Sequence, residues 1–201
     1  QDISPCYFID ASALKPGVDV SAFYETALPG LAGVERAHAL RYQVEQCVEY
    51  LNGRCRELFQ LGAMSGRGQD DSLRVFPEDM KREDALGYLA DLNWPGDLAA
   101  LDAFLSKCQT EGGCGLLHTD FDLFADRISH KIGINIMLSN APEVVRRWLD
   151  FLEREGLCLS EKKEDVLRFL TADPNYEPFI QNDIAHFKIP FENGKPLGAK
   201  A

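Results

Sequence analysis

Ionisable side chains recur at every second residue in the segment LLHTDFDLFA, where His118, Asp120 and Asp122 alternate with apolar neighbours. An extended strand sends alternate side chains to opposite faces. These three therefore share a face with Phe124, while Leu117, Thr119, Phe121, Leu123 and Ala125 occupy the other. Two chemistries suit such a row. Asp122 or Asp120 can act as a general base, taking the proton of a nucleophile. His118 and Asp120, joined by His186 from a later strand, also carry the donor set of a two-histidine, one-carboxylate iron site, the basis of a metal-dependent oxygenase reading with Fe as cofactor. Against both stands the plain alternative that His118, His130 and His186 are half-buried strand residues bonded to backbone.

Cations follow in the next alternating segment, ISHKIGINIML. Ile128, His130, Ile132, Ile134, Ile136 and Leu138 share one side, and Ser129, Lys131, Gly133, Asn135 and Met137 the other. Lys131 thus faces the polar side, Arg127 sits in the preceding turn, and Lys188 and Lys200 lie in the final segment, NDIAHFKIPFENGKPLGAKA. Any phosphate-binding site in so acidic a chain must be a local cluster of cations of this kind. A strand lysine is otherwise a solvated or snorkelling residue. Cys108, Cys114 and His118 spell C-x5-C-x3-H, a wider spacing than the tight cysteine pairs of a four-ligand zinc site.

The elements that must position these residues are read from periodicity. A strand is expected over 6 to 14, closed by a Lys15-Pro16-Gly17 turn. A short helix over 20 to 28 ends before Pro29-Gly30, and a long amphipathic helix runs from 34 to 61 with Gly62 as its stop. It carries Cys47 and Cys55, eight residues and about 12 Å apart at the helical rise, too far to bridge. A loop spans 65 to 72. Helices follow over 81 to 92 and 97 to 108, split at Pro95, with Asp97 capping the second. After the two alternating segments, Asn140-Ala141-Pro142-Glu143 opens a helix, Ser160 caps another through Leu170, and Asp173-Pro174-Asn175 breaks the chain. The last segment is a hairpin turning at Glu192-Asn193-Gly194-Lys195.

Residues 120 to 156 thus read as hairpin then helix, and 183 to 201 begin a second such unit. The expected fold class is α+β, an antiparallel sheet or partial barrel built from ββα repeats with helices packed on its outer face. Residues 1–110 form a mainly helical region with one short strand and 111–201 the antiparallel repeat region, together one domain. The inner face would be polar and solvated, a ligand chamber.

The segments DFDLFADRISHKIGINIMLSNAPEVVRRWLDFL and NDIAHFKIPFENGKPLGAKA resemble consecutive repeats of the αββα prenyltransferase barrel, most of all the cyanobactin-type peptide prenyltransferases. The likeness rests on the Asp-Leu pair at Phe121 to Leu123, Ser129-x-Lys131, the Pro142-Glu143 helix start, Asp183-Ile184-x-x-Phe187 and the later Asn-Gly-Lys turn. It covers roughly 80 of the 201 residues. Family barrels hold more repeats than this chain, and the family's strand with the catalytic carboxylate has no match before residue 100. The resemblance implies transfer of a dimethylallyl group from its diphosphate to an aromatic or heteroatom nucleophile, a peptide-modifying step of natural product biosynthesis. Lys131 aligns with a family lysine and would hold the diphosphate, aided by Arg127, Lys188 and Lys200. Mg²⁺ is an optional companion of that anion, and the partners are a prenyl diphosphate and a peptide or small aromatic acceptor.

Composition sets outer bounds. The chain's 201 residues include 45% apolar ones, enough for a buried core. Lys and Arg number 21 against 32 Asp and Glu, a net charge of −11, which argues against a coat for nucleic acid or for an anionic membrane. No apolar run reaches the roughly 18 residues of a membrane helix, and the opening Gln-Asp-Ile-Ser-Pro lacks signal-peptide features. A cytoplasmic protein with reduced cysteines is expected. A third, non-catalytic reading is a module that captures peptide by β-augmentation, or a partner subunit or oligomer of a larger assembly.

Overall fold

The computed structural model describes residues 6–11, 14, 19–51, 54, 59–64, 72–139, 141–171, 184 and 186–200. The alternating segments form strands, and the strands pair strictly in chain order. They are β1 (Cys6–Asp10), β2 (Phe59–Met64), β3 (Leu73–Pro77), β4 (Leu117–Leu123), β5 (Ile128–Ile136), β6 (Phe187–Glu192) and β7 (Lys195–Pro196). Each is antiparallel to the next, in one open sheet ordered β1 to β7.

Helices come in pairs between hairpins. A π turn over Phe23–Ala27 leads into α1 (Leu28–Ala32), and α2 (Val34–Leu51) follows before β2. Between β3 and β4 lie α3 (Arg82–Asp91) and α4 (Leu98–Lys107), the latter continued by a second π turn, Cys108–Gly112. Between β5 and β6 lie α5 (Pro142–Arg154) and α6 (Ser160–Thr171). The α+β class with an antiparallel sheet holds, and the hairpin-and-helix repeat occurs three times, not twice, because β2 and β3 form a further hairpin upstream.

Local chemistry explains the boundaries. Pro142 occupies the first turn of α5, where its missing N–H is not needed. The Asp97 side chain accepts the Ala100 N–H at 2.9 Å and starts α4. At the β6–β7 turn Asn193 and Gly194 take φ of 54° and 73°, the pair of positive values that a type I′ turn demands.

All of the helix pairs contribute to one hydrophobic cluster, which the apolar face of the sheet completes. That face carries Phe59 and Leu61 of β2, Leu73 and Val75 of β3, Leu117 and Phe121 of β4, four isoleucines of β5, and Phe187, Ile189 and Phe191 of β6. Rings tie the layers together: Tyr88 of α3 lies 6.2 Å from Phe121, Phe104 of α4 6.1 Å from Phe191, and Trp148 of α5 6.4 Å from Phe187. Burying a large apolar side chain in this way contributes about 1.5–3 kcal/mol.

Three expectations give way here. The helix expected from 34 to 61 ends at Leu51, and residues 59–64 are β2 instead. In the sequence Leu58 and Leu61 extend the helical spacing of Leu51 and Cys55, whereas Phe59, Leu61 and Ala63 alternate, and hydrogen-bonding to β1 on one side and β3 on the other decides for the strand. Among the described residues, 1–110 accordingly hold three strands, not one. The helix expected to stop before Pro29 instead carries Pro29 in the first turn of α1 and runs on to Ala32. The Lys15-Pro16-Gly17 turn, the 65–72 loop apart from Ser72, Cys55 and the Asp173-Pro174-Asn175 break lie outside the described residues. No helix among the described residues is long and apolar enough to cross a membrane.

One irregularity shapes the site. Phe121 pairs with Ile132 and Leu123 with Ile128, so a single β4 residue, Asp122, faces three on β5. The Ser129 hydroxyl accepts the Asp122 N–H at 3.2 Å and donates to the Lys131 carbonyl at 2.6 Å, while Trp94 Nε1 donates to the Ser129 carbonyl at 3.0 Å. This bulge turns His130, expected among the isoleucines, out to solvent.

Candidate functional site

The second face of the sheet carries Arg74 and Phe76 from β3, His118, Asp120 and Asp122 from β4, Gly133 and Asn135 from β5, and Lys188 and Pro190 from β6. Register sets them in rows. Arg74 lies opposite Asp122, Asp120 opposite Gly133 and then Pro190, and His118 opposite Asn135 and then Lys188. Lys200 continues the last row through a two-bond bridge to the Lys188 backbone.

At the centre, Asp120 is 2% exposed. Lys188 Nζ donates to both of its oxygens at 2.7 and 2.6 Å, Asn135 Nδ2 donates to Oδ2 at 2.8 Å, and Arg74 Nη1 lies 3.2 Å from Oδ1. Arg74 also grips Asp122 in a two-pronged bond, Nε and Nη2 each 2.9 Å from a carboxylate oxygen. Two anions and two cations thus offset each other's desolvation. The contact needs Gly133: a Cβ there would strike the Asp120 carboxylate and Lys188 Cε.

His118 borders this cluster. Its ring is buried, 6.0 Å from the Phe76 ring, with Nδ1 3.8 Å from Glu78 Oε2 and Nε2 3.5 Å from Asp79 Oδ1. Nε2 has no hydrogen-bond partner among the described residues. Burial holds the imidazole pKa below its ordinary value, Asp79 opposes this, and nearby His186 adds to it. Burial, then Asp79 and Asp10, push the Glu78 carboxyl above the usual range.

The residues named from sequence separate into three groups. Asp120, Asp122, His118 and Lys188 come together. Lys131 and Lys200 are exposed near the rim of the same face, Lys131 with no ion-pair partner among the described residues. Arg127 stands apart: it pairs with Asp126 at 3.0 Å, stacks 4.2 Å over Phe124, and borders a hollow of about 340 Å³ with Tyr42 and Tyr50 of α2, at the helical layer. His186 is exposed. Among the described residues no three His, Cys, Asp or Glu side chains are placed to hold a metal ion, and the carboxylate of the expected triad, Asp120, already accepts from Lys188, Asn135 and Arg74. Cys108 and Cys114 lie in the core beneath the other sheet face and do not converge with His118.

Sequence reading missed Arg74, Phe76 and Glu78. The signal was present in LRVFP, where Arg74 and Phe76 alternate with Leu73 and Val75, but the run is only five residues long. Asn135 was placed on the polar side without a role. Comparison with protein-family models, curated proteins and solved structures finds no match.

Proposed function

We propose that the polar sheet face is a substrate surface, and that the chain transfers a dimethylallyl-type group from its diphosphate to a side-chain nucleophile of a peptide or small aromatic acceptor. The supporting observation is the continuous polar face that three helix-pair and hairpin units build, with Lys131, Lys188, Lys200 and Arg74 around a carboxylate pair. Lys131 and Lys200 offer charge to the diphosphate. Lys188, drawn toward that anion, would release Asp120 to accept the nucleophile's proton as the new bond forms and the diphosphate departs with its electron pair. Phe76 offers a π face to the allyl cation.

The test is titration of a non-hydrolysable dimethylallyl diphosphate analogue, with and without Mg²⁺, on the wild type and on Lys188→Ala and Lys131→Ala. Binding that weakens in both variants is expected. No binding, or binding indifferent to both changes, overturns the reading. A second, non-catalytic reading draws on β1, which pairs only with β2 among the described residues and exposes Tyr7 and Phe8 by 58% and 44%. Such an edge accepts an extended peptide, and tight peptide binding without turnover would favour it.

A further inference from the structure

We propose that the hollow between α2 and the β4–β5 turn docks a proline-rich peptide segment in the polyproline II conformation, with an arginine beside it. The hollow measures about 340 Å³ and shares no lining residue with the polar sheet face. One wall is α2, whose Leu40, Val44, Cys47 and Leu51 are buried in the core. Tyr42, Gln46 and Tyr50 stand at i, i+4 and i+8, one row on the same helix, and all three line the hollow. Tyr42 remains 65% exposed. The facing wall is held in place. Trp94 is buried and donates to the Ser129 carbonyl, which fixes the turn that brings Asn93 and Pro95 to the hollow. Arg127 is stacked over Phe124 and paired with Asp126.

The lining selects the ligand's backbone. The Tyr42 and Tyr50 hydroxyls and the Gln43 amide have no hydrogen-bond partner among the described residues. A helix would bring carbonyls already bonded within its own turns. An added strand needs a row of unpaired backbone, whereas this lining comes from helices and turns apart from Ile128. Polyproline II leaves every carbonyl without an internal bond, so hydroxyl and amide donors meet them while the proline rings lie on the tyrosines. Spacing agrees with this. Tyr42 and Tyr50 are about 12 Å apart along α2 at the helical rise, and polyproline II covers that span in about four residues, one Pro-x-x-Pro unit. Carboxylates set the flank. Asp91 gives Oδ2 to Arg54 and Asp126 gives Oδ1 to Arg127, and the second oxygen of each has no partner among the described residues. In a chain of net charge −11 these oxygens favour a cationic neighbour for the prolines. Pro95 also borders a second hollow of about 310 Å³ containing Asp97, so an extended chain can continue past it.

The experiment titrates the full chain into fluorescein-labelled dodecapeptides carrying two Pro-x-x-Pro units, with arginine at the amino end in one and at the carboxyl end in the other. Controls replace every proline by alanine, or arginine by glutamate. Fluorescence anisotropy is expected to saturate with at least one arginine peptide, and affinity to fall about tenfold or more in both controls. Tyr42→Ala, a surface change, is expected to weaken binding about tenfold or more. Tyr50→Phe, which keeps the ring and removes the hydroxyl, should weaken it about two- to tenfold. No saturation by about 1 mM protein, equal binding of either control peptide, or affinity unchanged in Tyr42→Ala overturns the proposal. Tyr42→Ala decides the matter alone if Tyr50→Phe fails to fold.

Discussion

Lys188 and Asp120 meet across a strand that belongs to neither of them. Lys188 stands on β6 and Asp120 on β4, and their salt bridge of 2.6 Å passes over Gly133 of β5. Removing one partner of such a pair strands a buried charge. Asp120→Ala is expected to cost about 3–5 kcal/mol in urea unfolding, because Lys188 and Asn135 lose their acceptor and Arg74 loses one of two. Joint replacement, Asp120→Leu with Lys188→Met, is expected to recover much of the loss.

The same contact makes Gly133 the least replaceable small residue of the sheet. Gly133→Ala pushes Asp120 and Lys188 apart and is expected to destabilise by about 1–3 kcal/mol. Gly115→Ala, whose added Cβ meets nothing within 4 Å, is the control and should melt within a degree or two of the wild type.

His118 predicts a pH slope. Its folded pKa lies below the ordinary 6.5, so below that pH the unfolded chain binds a proton that the folded chain refuses. Stability therefore falls as pH drops from about 6.5 through the depressed folded value. The groups facing it are Glu78 and Asp79 from the β3–α3 link and His186 before β6. Glu78, raised in the folded state, has the opposite slope in more acidic solution, favouring the fold at low pH and losing that contribution as pH climbs past 4.5. Denaturation midpoints of His118→Phe across pH 5 to 8 should lack the first slope, and those of Glu78→Gln, followed from about pH 4 upward, the second.

Trp94→Phe isolates the bulge. It removes the donor to the Ser129 carbonyl and is expected to cost about 1–3 kcal/mol. Amide exchange should speed up at residues 129–131 and stay slow at Ile134.

The diphosphate reading separates cations that look alike in sequence. Lys200→Ala should weaken the analogue about tenfold, some 1.4 kcal/mol. Arg127→Ala, held at the helical layer by Asp126 and Phe124, should leave affinity unchanged.

Legibility followed pattern length. The seven-residue β4 and nine-residue β5 are long enough for alternation to be unambiguous, and the Asp97 cap, the Pro142 start and the Asn193-Gly194 turn are each set by one residue's chemistry. The β2–β3 hairpin was hidden because Phe59–Met64 is short and its Leu61 continues the helical spacing of Leu51, Cys55 and Leu58, and with it went Arg74, the cation that joins both carboxylates. Lys188 was assigned to a ligand, whereas its reach to Asp120 depends on an absent side chain at position 133, a diagonal relation that no one-dimensional period encodes. Arg127 misled for the converse reason: turn residues carry no face.

The bulge in β5 adds two residues, and two is an even number. Ile128 and Ile132 consequently both stay on the core side, although the ladder between them is interrupted. A one-residue insertion would have flipped the rest of the strand, sending Ile134 to water and Asn135 into oil. A change of length at His130-Lys131 in steps of two therefore keeps the later isoleucines on the core side and Asn135 on the polar side.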